Sequence, residues 1–87
     1  IPFMVVSSER IIVKINFSDI NYIVSFSDYI KIHIHNKTII TRENISAVEA
    51  KLPKNQFIRI HRSYIISLKN ITSFTNEQVT ILEILRR

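Results

Sequence analysis

The sequence predicts a mainly β domain, with mostly antiparallel strands and one short helix. Three observations predict it. Apolar and polar residues alternate over most of the chain, and the apolar ones are largely β-branched, as half-buried strands require. The links between these runs are too short for the crossovers that parallel strands need. One segment, from Asn44 to Leu52, departs from the period of two and has helical apolar spacing.

Residues 3–7 give the first strand. Residues 11–17 give the second, with Ile11, Val13, Ile15 and Phe17 on one face. A third covers 20–25. The fourth, 29–35, alternates most strictly, with Ile30, Ile32 and Ile34 facing inward and Lys31, His33 and His35 outward. A fifth covers 37–41. In the helix that follows, Asn44 supplies the cap, Ile45, Val48 and Leu52 share a face, and Pro53 stops the run. Strands at 57–60, 64–67 and 78–82 complete the set. The chain contains no glycine, so Asn, Asp and Ser must make the turns, at Ser7-Ser8, Ser27-Asp28, Asn36-Lys37, Asn55 and Asn76. No repeat, low-complexity run or linker divides residues 1–87, which read as a single domain.

A chain of 87 residues is long enough for one modest core. At 46% hydrophobic and 22% charged residues it lies far from a disordered composition. Cysteine is absent, which excludes disulfides, thiolate catalysis and cysteine-bound zinc and fits a reducing compartment. No run approaches the ~18 apolar residues that a membrane span needs. Ile1 opens no signal-peptide pattern, so a soluble domain is expected, and a start without Met suggests a fragment or processed chain.

The net charge of +5 is unevenly placed. Basic and acidic side chains cancel over residues 1–50. Beyond them Lys51, Lys54, Arg59, Arg62, Lys69, Arg86 and Arg87 face only Glu77 and Glu83, with no acid between Lys51 and Lys69. A one-sided basic segment points to a polyanion, nucleic acid first and an anionic membrane second, against the plainer alternative of a solvated basic face.

The stretch FIRIHRSYII sets Arg59, His61 and Arg62 between large apolar neighbours. Lys54, Arg59, Arg62, Ser63 and Lys69 supply donors there. An arginine fork can grip phosphate or guanine, and Ser63 can position a phosphate. The plainer reading of Arg59 is a strand-surface arginine paired with an acid. His33 and His35 form a His-x-His pair on one strand face, yet no carboxylate lies near them in sequence to complete a metal site. Two exposed histidines on a wet strand face are the stronger reading. Without glycine there is no phosphate loop, and Ser63 beside His61 lacks triad geometry, so no enzyme is expected.

FIRIHRSYI resembles the phenylalanine–x–arginine–x–His-Arg-Ser–aromatic signature of the LytTR family of bacterial DNA-binding domains. The likeness extends through Asp19-Ile20, Tyr22-Ile23 and Asp28-Tyr29 and through the helix ending at Leu52-Pro53, over residues 3–81. It implies an elongated arrangement of small, mostly antiparallel sheets with a short helical element, in the output domain of a two-component response regulator; a cytoplasmic domain without a cofactor is expected. Such a domain binds duplex DNA by loops that enter successive major grooves. Residue by residue, the likeness implies base contacts by Arg62, Tyr29 and, at the tail, Arg86 or Arg87, of which Arg86 is taken; phosphate contacts by Lys54, Arg59, Ser63, Lys69 and Arg87 are expected from the basic segment itself. It further implies an upstream receiver or sensory domain and a homodimer on repeated half-sites. Val24 and Ser67 depart from the family pattern. So does the tail LEILRR, which lacks the usual glycine turn and leaves the completeness of the last strands open. A β module for single-stranded nucleic acid, stacking bases on Phe17, Phe26 or Tyr29, is the alternative, and a metal-binding β domain a more distant one.

Overall fold

A computed structural model describes residues 2–70. These residues form seven strands, β1 (Phe3–Ser8), β2 (Ile11–Asn16), β3 (Ile20–Phe26), β4 (Tyr29–Ile34), β5 (Lys37–Thr41), β6 (Phe57–His61) and β7 (Tyr64–Ser67), and one helix, α1 (Ile45–Lys51). All observed pairings are antiparallel. β1 and β2 form a two-stranded sheet, and the other five form a sheet in the order β5-β4-β3-β7-β6. The mainly β architecture with small antiparallel sheets and a single short helix is therefore present, in a body of 41 × 28 × 24 Å. The expected strand at 78–82 and turn at Asn76 lie outside the described residues.

Directly opposed residues share a face of an antiparallel pair. Ile23 opposes Ile32 on one side and Ile65 on the other, and Ile32 opposes Ile39. All four are buried and form the inner face of the large sheet. Met4, Val6 and Ile15 of the small sheet, and Ile45, Val48 and Leu52 around α1, join them in one core. Two bonds dock the small sheet on β5: the Thr41 hydroxyl donates to the Ser7 carbonyl, and the Ser8 hydroxyl to the Ile40 carbonyl at 2.7 Å. On the opposite face a smaller cluster gathers Tyr22 and Ile66 with Val24 and Ile60.

The helix starts where the sequence places its cap. Asn44 is extended, and its side-chain oxygen accepts from Ser46 N–H at 2.7 Å and Ala47 N–H at 3.3 Å. It stops at Lys51, because Leu52 precedes proline and is held extended at ψ 142°.

The structure differs from the sequence expectation at four places. Ile11, expected inside, is 62% exposed, since the β1–β2 hairpin runs past the core it covers. Phe17 leaves the strand and is buried from a 3-10 turn, Phe17–Asp19, instead. The turn expected at Asn36-Lys37 falls one residue earlier, at His35-Asn36, so β4 ends at Ile34. The first hairpin likewise turns at Glu9-Arg10 and not at Ser7-Ser8.

Candidate nucleic-acid interface

Two hairpin turns share one end of the five-stranded sheet. Arg62-Ser63 joins β6 to β7, and Ser27-Asp28 joins β3 to β4. The backbone fastens them together, because β3 and β7 are neighbours and Ser25 N–H donates to the Ser63 carbonyl at 2.9 Å. Arg62 is exposed at the tip of its turn. Tyr29 closes the neighbouring turn opposite Phe26, with the two rings stacked at 5.7 Å and each 39% exposed. Lys31 reaches over the Phe26 ring at 4.6 Å. Strand register thus brings together Arg62, Ser63 and Tyr29, which the sequence singled out separately.

Arg59 is held by partners within the fold. It lies on the inner side of β6, opposite Ile65, and its guanidinium turns toward α1. Nη1 donates to the Ser46 hydroxyl at 2.8 Å and to Glu49 Oε1 at 2.9 Å. Nη2 donates to the Arg62 carbonyl at 2.6 Å, and Nε to the His61 carbonyl at 3.3 Å. The acid pairing that sequence offered as the plainer reading is thus present. His61 Nδ1 accepts from Ser63 N–H at 3.0 Å.

Lys54 and Lys69 are carried to the other end of the strands. Lys54 precedes β6, whose five residues at ~3.3 Å each separate it from the Arg62 turn. Lys69 follows β7, and its ammonium donates to the Ser18 carbonyl. Arg86 and Arg87 lie outside the described residues.

The two other histidines part company. His33 stays on β4, stacked on Tyr22 at 4.2 Å with its Nδ1 3.2 Å from the Thr38 hydroxyl. Burial holds its imidazole below the ordinary value, and Lys31 adds to the effect. Burial likewise pushes the Tyr22 phenol up, with Tyr64 adding to it. His35 sits in the turn, where its Nε2 lies 3.1 Å from Asp19. The shared strand face expected of the His-x-His pair is therefore lost. Among the described residues no group of three His, Cys, Asp or Glu side chains converges.

The model of the LytTr DNA-binding domain matches residues 10–85. The chain belongs to the LytTR family. Two sensory transduction proteins named LytT, from Bacillus cereus and Bacillus anthracis, are each 33% identical over 64 residues. Those residues are 74% of this chain but 26% of each relative, so the chain spans about a quarter of their length. Among solved structures, a similar one is the LytTr DNA-binding domain of a protein named as a methyl-accepting/DNA response regulator from Bacillus cereus. It superposes with a TM-score of 0.71 at 22% identity, over 84% of this chain and 67% of that one, a likeness of fold. No helix among the described residues is long and apolar enough to cross a membrane.

Within this family frame, sequence reasoning missed Lys31 and Arg42, and named Phe26 without pairing it to Tyr29. Phe26 and Tyr29 flank a two-residue turn, so their pairing could have been read from the turn length. Arg42 follows β5, and the pairing of Thr41 with Ile30 returns it to the same sheet end. There it faces Asp28 at 3.7 Å, both side chains largely in solvent.

Proposed function

We propose that this LytTR domain binds double-stranded DNA sequence-specifically, as the output domain of a transcription regulator. The observation that carries the reading is the fastening of two exposed turns, one bearing Arg62 and the other Tyr29, by the Ser25–Ser63 backbone bond. An arginine on a fixed turn can offer its fork to the O6 and N7 acceptors of guanine. Tyr29 stands half-exposed on the adjoining turn, and Ser63 can donate to a phosphate as a positioning contact. Lys54 and Lys69 would meet phosphates farther along the duplex. Arg86 and Arg87 complete the proposed set as a base and a phosphate contact. In a full-length regulator an upstream receiver domain would control such a module, and pairing of two copies would suit repeated half-sites in successive major grooves.

A second reading has one observation in its favour. The half-exposed Phe26–Tyr29 stack could receive an unpaired base. Phe17 does not contribute, being buried in the core.

Fluorescence anisotropy separates the two, using a randomised duplex pool and a matched single strand across a salt series, for the wild type and Arg62→Ala. The expected result is duplex preference, a steep salt slope, and sequence enrichment lost in the variant. Equal binding of the single strand, or an Arg62→Ala protein that enriches like the wild type, would overturn the duplex reading and favour stacking.

A further inference from the structure

We propose that Arg59 is the positioning residue of the Arg62 turn and makes no phosphate contact of its own, with Glu49 and Ser46 of α1 aiming it. This rests on the duplex-reading function proposed above. The turn needs an external support. Two-residue hairpin loops match the twist of their strands when left-handed residues fill them, and neither Arg62 nor Ser63 takes a positive φ. The ladder beneath is also broken, because the register shifts between Arg59 and His61 and leaves Ile60 as the extra residue of a bulge. Ladder bonds alone therefore fix the tip of β6 weakly.

Arg59 closes that gap. One guanidinium reaches the carbonyls of His61 and Arg62, which bracket the approach to the reading side chain, while its other edge is held by Glu49 and Ser46. Four of the five donors of an arginine fork are so engaged. Its side chain is 23% exposed, which leaves little of it to offer a ligand. A lysine would keep the charge, but as a point donor it could not span both carbonyls and the helix at once. The paired ends of the strut lie on different elements, so α1 and the turn move as one unit.

The test compares Arg59→Lys, Glu49→Ala and Glu49→Gln with Arg62→Ala and the Arg59→Lys/Arg62→Ala double variant. Two readouts are taken: affinity for the preferred duplex relative to a scrambled one, and amide exchange at Ser63 and Tyr64. Arg59→Lys and Glu49→Ala are expected to lower discrimination by about tenfold and to quicken exchange in the turn. The salt slope should stay that of the wild type, because Arg59→Lys keeps the cation and neither change removes a phosphate contact. Glu49→Gln, which keeps an acceptor oxygen, should rescue both readouts. In the Arg62→Ala background Arg59→Lys should cost no further discrimination, as expected when one residue acts through the other. Additive losses, a lowered salt slope in Arg59→Lys, or unchanged turn protection would overturn the proposal. Should Arg59→Lys fail to fold, the Glu49→Ala and Glu49→Gln pair decides. If the wild type itself discriminates between no duplexes, the duplex reading falls, and turn protection in the variants alone judges the strut.

Discussion

The two ends of the five-stranded sheet both carry cations, and they differ in how those cations are held. At the Arg62 end, the turns are joined by a backbone bond, buttressed from below by Arg59, and flanked by a stacked aromatic pair. At the Lys69 end, the groups are tied to separate partners. Lys69 binds the Ser18 carbonyl, His35 pairs with Asp19, and Asn70 donates to the Asn21 carbonyl. Among the described residues both ends present positive charge, but only the Arg62 end presents it on a frame that fixes where a guanidinium points. Charge attracts DNA from either end, whereas discrimination between sequences needs the frame.

The largest effect should erase the contrast altogether. Ile65 is 1% exposed and lies opposite both Ile23 and Arg59. Ile65→Ala is expected to cost about 2–5 kcal/mol of stability, read from the denaturant midpoint, and to weaken both ends through their common core. Next, the contrast is sharpened by Arg62→Ala against Lys54→Ala. Arg62→Ala should lose about 1–3 kcal/mol in binding the preferred duplex, with its melting temperature hardly changed. Lys54→Ala should weaken all duplexes alike and lower the salt slope by about one. Matching profiles from these two variants would mean that the ends do not differ in kind.

The smallest effect concerns His33, on the open face between the two ends. Its folded pKa is lowered by burial, so below the ordinary imidazole value of 6.5 the unfolded chain binds the proton more readily than the folded one. Its contribution to stability is therefore level above that value and declines as pH falls through the window down to the folded pKa. His33→Gln should flatten this part of the decline in melting temperature between neutral and mildly acid pH. An unaltered pH profile would place the acid sensitivity elsewhere.

Much of this fold was legible because period and turn chemistry are local. Strict alternation located β4, and Asn44 with Pro53 bracketed α1 to within a residue. Ile11 could not be read correctly, since its exposure depends on how far the small sheet overhangs the core, a tertiary fact. The histidine pair failed for a related reason, because a turn shifted by one residue removes His35 from the strand face. Among candidate contacts, the sequence marked Arg62, Ser63 and Tyr29 without showing that they adjoin. Their meeting depends on the pairing of β3 with β7, residues far apart in the chain. Arg59 stood in the same basic cluster as Arg62, and only the position of Glu49 across the fold separates the strut from the tip.

The absence of glycine bears on the order in which the structure assembles. Glu9 and Arg10 turn at φ 52° and 68°, and Ser27 at 51°, a left-handed conformation that disfavours L-residues by about 1–2 kcal/mol each. Hairpins that close against local preference are poor starting points for folding. The expected order is that the buried cluster holding Ile15, Ile23 and Ile30 gathers first and draws the turns shut afterward. In kinetic terms, stabilising the first turn by Arg10→Gly should slow unfolding and leave the refolding rate nearly unchanged in stopped-flow measurements. Faster refolding would instead make the first hairpin an early event. The same turns that look like minor irregularities in the finished molecule would then mark the last steps of its making.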